Sequence, residues 1–195
     1  AGGGGGAYGE RSMAYTALFD YKKLKNVVVY AEPDKPVEPT AVDPKKTYMM
    51  TVSKIGRSID LSPPFLVLPA GSEVTFVNKM EEAMTVYSSG GSVDRFMAEL
   101  PPQGASLVKL GTVGLYRVGC IINPSAAAKI FAAGPIFAVA GEDGRYAMDL
   151  PAGSYKVTAW HERLPSVTLE TVVVKEGENR TVDFTLSVRQ LPEIK

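Results

Sequence analysis

The chain reads as all-β, with two β-sandwiches in series and no helix of any length. Three observations predict this. Short apolar runs recur at intervals of roughly ten residues. Gly and Pro, 19 and 14 of the 195 residues, punctuate those runs. The stretch 181–188 alternates cleanly, with Val182, Phe184, Leu186 and Val188 on one face and Thr181, Asp183, Thr185 and Ser187 on the other. That is the period of a half-buried antiparallel strand with one wet face.

Residues 1–16 open with Gly2, Gly3, Gly4, Gly5 and Gly6, which offer no side chain to bury. Ordering such a run costs roughly 1 kcal/mol or more per residue, so it needs a groove to lie in. The expectation is an extended tail whose glycines contact a partner protein. Residues 17–133 are the first sandwich. Its apolar runs lie at 27–30, 48–52, 65–68, 73–77, 84–87, 106–110 and 115–118. Pro33, Pro36, Pro39 and Pro44 make an extended surface connector after the first run. The stretch Ala126-Ala127-Ala128-Lys129-Ile130-Phe131 suits either a core strand or an apolar contact patch. Gly134-Pro135 reads as a hinge. Residues 134–188 form a smaller sandwich, with strands at 136–139, 145–150, 155–160, 167–174 and 182–188. Its turns are Gly141-Glu142-Asp143-Gly144, Pro151-Ala152-Gly153 and Glu176-Gly177-Glu178-Asn179. Residues 189–195 form a polar surface tail.

Lys plus Arg equals Asp plus Glu at 21 each, so no basic stripe is available to neutralise phosphates, and the charge argues against nucleic acid as a ligand. The longest apolar stretch, 126–140, is too short and too broken by Lys129 and Gly134-Pro135 to span a bilayer. One cysteine cannot close an internal disulfide. The chain starts at Ala1, as a processed export product would.

Cys120 sits at a strand end before a tight loop, with a turn at Asn123-Pro124. Soft sulfur donors lie in neighbouring loops: Met80, Met84 and Met97, which together with Cys120 would suit Cu(I). The plainer reading is a free cysteine serving as a small buried apolar residue. His161, the only histidine, stands beside Trp160, Glu162 and Arg163, but no nucleophile accompanies it and it reads as structural. No nucleophile elbow, zinc-protease helix or phosphate loop occurs. Asp143-Gly144 is hairpin chemistry rather than a calcium loop. Asn179-Arg180-Thr181 fits a glycosylation sequon of the kind that arises by chance.

Several motifs together resemble the bacterial plastocyanin-like, methylamine-utilisation-type cupredoxins followed by a small carboxypeptidase-regulatory-like, transthyretin-type domain. They are Val27-Val28-Val29-Tyr30-Ala31-Glu32, the run from Phe65-Leu66-Val67-Leu68-Pro69-Ala70-Gly71 to Asn78, Cys120 with its loop, Gly144-Arg145-Tyr146, and Pro151-Ala152-Gly153-Ser154-Tyr155 to Glu162. The resemblance covers roughly 26–188. It implies a copper sandwich whose first histidine belongs to a Phe-His-Asn-Val-Phe-Ser motif; Ala83-Met84-Thr85-Val86-Tyr87-Ser88 matches it, with Met84 at the histidine. The family's Cys-x-x-His-Pro-x-Met loop becomes Cys120-Ile121-Ile122-Asn123-Pro124-Ser125-Ala126. Both histidines and the methionine are replaced; only the thiol remains. The resemblance carries over as fold, not as electron transfer.

The functional expectation is therefore a non-catalytic, cofactor-free and metal-free periplasmic subunit. It would act as a structural accessory of a larger membrane-associated electron-transport complex, respiratory or photosynthetic, reached through protein partners. The candidate partner-binding residues, besides the glycines, are Asn123, Ala126 and Phe131. Two alternatives stand beside it: a copper or electron carrier using Cys120 and the nearby methionines, and a peptide- or carbohydrate-binding module in the second sandwich.

Overall fold

A computed structural model describes residues 24–35, 46–89 and 93–187. The glycine run, the tail 189–195 and Pro36, Pro39 and Pro44 lie outside the described residues. Among those described, the chain forms thirteen strands and no helix. They are β1 (Val28–Pro33), β2 (Tyr48–Ile55), β3 (Ser58–Ser62), β4 (Phe65–Pro69), β5 (Glu73–Asn78), β6 (Met84–Ser89) and β7 (Met97–Leu100). β8 (Ala105–Lys109), β9 (Gly114–Cys120), β10 (Asn123–Ala133), β11 (Ile136–Val139), β12 (Gly153–His161) and β13 (Leu164–Val174) follow. The all-β reading is correct. No helix among the described residues is long and apolar enough to cross a membrane.

The strands make three sheets, ordered β3-β2-β5-β8, β4-β10-β9-β6-β7 and β11-β1-β12-β13. The first two face each other across the main core, built from Met50, Val52, Val74, Phe76, Val86 and Ile130 among others. Strand alternation places these side chains: in β5, Val74, Phe76 and Asn78 are buried while Glu73 is exposed. The other face of the second sheet packs on the third through Val28, Phe131 and Ala133, flanked by Tyr30, Val67 and Trp160. β10 is thus covered on both sides, Ile130 and Ala132 facing one core and Phe131 and Ala133 the other. This explains why its sequence is a continuous apolar run instead of an alternation.

Four differences from the sequence expectations are informative. First, β1 does not belong to the first sandwich: it lies between β11 and β12, with Val29 opposite both Ala138 and Ala159. Its run, Val28-Val29-Tyr30-Ala31, has no polar face because both faces are covered, Val28 by the second sheet and Val29 and Ala31 by the far core. Second, Gly134 is a packed corner between β10 and β11 rather than a free hinge. A Cβ there would meet the Tyr30 ring at 2.8 Å. Third, 145–150 and 181–187 keep the predicted alternation of burial but join no sheet among the described residues. Fourth, β3 and β7 went unpredicted, since each buries a single leucine, Leu61 or Leu100, on a polar edge.

Candidate functional site

The sequence reading centred on Cys120, and three strands converge on it. Cys120 ends β9, opposite Val86 of β6 on one side and Asn123 of β10 on the other. Its side chain is 1% exposed and belongs to the main core. Met84, two residues from Val86 on the same face of β6, is equally buried, and Met80 packs on the core from the preceding loop. Asn78 holds that loop in place. Its amide donates to the carbonyls of Glu82 at 2.8 Å, Pro101 at 3.0 Å and Leu100 at 3.3 Å, and its Oδ1 accepts from the Met80 N–H at 2.9 Å. Asn78 itself is 1% exposed; its bond to the Leu100 carbonyl is buried and the other three are part-buried, so losing the amide would leave buried carbonyls short of a donor, which is costly.

The fold brings Met84, Cys120 and Asn123, the positions that the sequence resemblance set against copper ligands, to one end of the second sheet. The donors themselves do not fit a copper centre of two imidazoles and a thiolate. His161 ends β12 in the third sheet, in a different part of the molecule. Among the described residues no three His, Cys, Asp or Glu side chains gather as a metal site. Met97 is 70% exposed and cannot share a ligand sphere with the buried thiol, which corrects its candidacy. Two further candidates are corrected by burial. Ala126 is 3% exposed in the main core, and Phe131 is 1% exposed, stacked on Trp160 at 3.9 Å between ring centroids. Neither has surface to offer a partner. Asn123 is half-buried, and its Oδ1 accepts from the Ser125 N–H and hydroxyl, closing the start of β10.

What the end of the sheet does present is Ile121 and Ile122, the two residues of the turn between β9 and β10. They are 52% and 61% exposed. The Ile121 N–H donates to the Thr85 carbonyl at 3.0 Å, so the turn is pinned to β6 while both side chains face outward. Exposed Glu81, Glu82 and Ala83 lie in the loop leading into that same strand. Sequence reasoning passed over the pair. The signal was two β-branched apolar residues at turn positions where Gly, Asn or Asp is usual.

Away from this end, Glu162 joins the second and third sheets. Both of its carboxylate oxygens take the Lys129 ammonium, at 2.7 and 2.8 Å. The adjacent His161 is buried; its Nδ1 accepts from the Arg163 N–H at 3.3 Å, and a backbone hydrogen bond ties it to Lys25. Burial holds its imidazole below the usual histidine range, against the opposing pull of Glu162. With Nδ1 taken by Arg163 and no hydroxyl or thiol bonded to it among the described residues, His161 stands at the β12–β13 turn as a buried structural side chain.

No family model matches the chain, and no curated protein matches it. Solved structures that resemble it include a novel purple cupredoxin from Nitrosopumilus maritimus, with a TM-score of 0.39 and 16% identity, covering 44% of this chain and 99% of that one. Amicyanin from Paracoccus versutus is similar at a TM-score of 0.38 and 19% identity, over 53% of this chain and 96% of that one.

Proposed function

We propose that this protein is a non-catalytic accessory subunit that docks through the end of the second sheet, and that the place where a copper protein would hold its metal serves here as an apolar contact. The carrying observation is the pairing of a buried, donor-poor interior (Cys120, Met84, Ala126) with an exposed isoleucine pair directly outside it. Two β-branched side chains more than half exposed on a tight turn are costly to keep in water, and such patches mark contact sites. The resemblance drawn from the sequence motifs adds the setting: a periplasmic assembly with a membrane electron-transfer complex as host. That setting is analogy of fold rather than a reading of the site.

The test is metal analysis of the protein purified from its native membranes, with the co-purifying chains identified. Copper-free protein in a stoichiometric complex, released when Ile121→Lys and Ile122→Lys are combined, supports the proposal. Copper at one per chain, lost in Cys120→Ala, overturns it in favour of a histidine-free carrier.

A further inference from the structure

The first sheet turns one face to the main core and the other to solvent. In β2, β5 and β8 the residues that alternate with the core set make up that outer face. Strand register puts Met49, Thr75 and Leu107 in one row across it, and Thr51, Val77 and Ala105 in the next. None of the six carries a charge. Met49 is 49% exposed and Leu107 66%, so the apolar row stands open to water. A single exposed apolar residue needs no explanation, but two adjoining rows without a charge mark a contact surface.

The two rows complement each other. A two-fold axis lying in the plane of this face, across the strands and between the rows, sets each residue over its own strand's residue from the other row. Leu107 of one copy then covers Ala105 of a second, Met49 covers Thr51, and Thr75 meets Val77. In the first two pairs a long side chain faces a short one, the way packed sheets interdigitate. Charge obeys the same operation. Exposed Glu73, with Lys109 beside it on β8, precedes the rows on β5. Exposed Lys79 follows them, its N–H bonded to the Val52 carbonyl as the ladder continues. The axis brings Glu73 of each copy over Lys79 of the other. A surface that matches itself in both size and charge is what an isologous interface requires. At 21 acids and 21 bases the chain carries no net charge to oppose self-association.

We infer that this face is an interface between two copies of the chain, stacked sheet on sheet through β2, β5 and β8. Four strands roughly 4.8 Å apart and four outward residues roughly 6.8 Å apart make a face of about 19 by 20 Å. Two such faces bury on the order of 1,000 Å² in total, the lower limit for a specific pair, so the dimer is a reversible one. The isoleucine turn belongs to the other sheet of the sandwich, and the inference does not rest on the function proposed for it.

Sedimentation velocity of the full chain over a concentration series tests this. The expected result is a monomer–dimer equilibrium in the micromolar range. Leu107→Asp, which forces an unpaired carboxylate into the contact, should weaken the pair about tenfold or more. Lys79→Glu should weaken it by a smaller factor, and adding Glu73→Lys should restore it, because the swap rebuilds both cross-copy pairs. Ile121→Lys combined with Ile122→Lys should leave it unchanged. Should Leu107→Asp disturb folding, loss and rescue by the charge swap decide alone. A chain still monomeric at about 1 mM overturns the inference. So does a dimer indifferent to Leu107→Asp and to Lys79→Glu, or one abolished by the isoleucine changes. A monomeric chain whose Met49 resists peroxide oxidation only in the complex from native membranes assigns the face to a different protein, and overturns it too.

Discussion

His161 is the one residue whose chemistry ties stability to pH near neutrality. Its folded-state affinity for a proton is depressed by burial, with Arg163 and Lys129 adding repulsion and Glu162 opposing them. In the unfolded chain the imidazole titrates near the ordinary value of about 6.5. Above that pH both states hold the neutral ring and nothing is lost. As the pH falls through 6.5, the unfolded chain takes up its proton first, so stability declines until the folded-state value is passed. Protonation would also place an N–H on Nδ1, facing the Arg163 N–H that it now accepts. The expected outcome is a thermal midpoint that drops between pH 7 and pH 5, with a visibly shallower drop in His161→Asn, which keeps an acceptor for Arg163 without titrating. Equal slopes for the two proteins would show that the proton goes elsewhere.

Among the elements, β10 joins the second sheet to both of its neighbours, because its two faces serve two cores. Phe131 is the side chain that joins the second sheet to the third: 1% exposed, stacked on Trp160 at 3.9 Å and tilted against Tyr30 at 6.1 Å. Phe131→Ala should cost about 3–5 kcal/mol in denaturant melts, since three elements meet there and none can close the cavity alone. A cost under about 1 kcal/mol would show that the sheets repack freely without it. This strand also marks how far the sequence could be read. Short apolar runs between Gly and Pro located most strands, because burial of a run is a local property. The one stretch read from period-two alternation, 181–188, keeps that burial pattern over 181–187 without forming a strand among the described residues. Pairing is not local. Nothing in Val27-Val28-Val29-Tyr30 distinguishes a strand of the first sandwich from one that crosses to the second, and chain order suggested the wrong neighbour. At the candidate site, the motif spacing brought Met84, Cys120 and Asn123 together as the fold does. Phe131 and Ala126 were misjudged because an apolar run looks alike whether it faces a partner protein or a second internal core. Ile121 and Ile122 were legible only as an oddity of turn composition.

At the scale of the molecule, the crossing of β1 decides what can be cut from what. The sequence suggests a break at Gly134-Pro135, but a fragment of 134–195 would lack the strand that lies between β11 and β12. Without β1 those two strands have no shared partner, and the third sheet reduces to the β12–β13 hairpin with β11 detached. An isolated two-stranded hairpin is marginal in water. The fragment would also lose Val29 and Ala31 from its core. The complementary piece, ending at 133, would keep β1 with both edges bare, an invitation to aggregate. The prediction is that 134–195 alone shows no cooperative unfolding and a collapsed spread of amide resonances. Restoring residues 24–35 at its N-terminus through a short flexible linker should return a cooperative transition, because β1 and β11 run antiparallel and a tight connection can join them. A fragment that melts cooperatively without β1 would mean that the core of Tyr155, Val157 and Val172 suffices by itself. The division of the chain would then follow its sequence order after all.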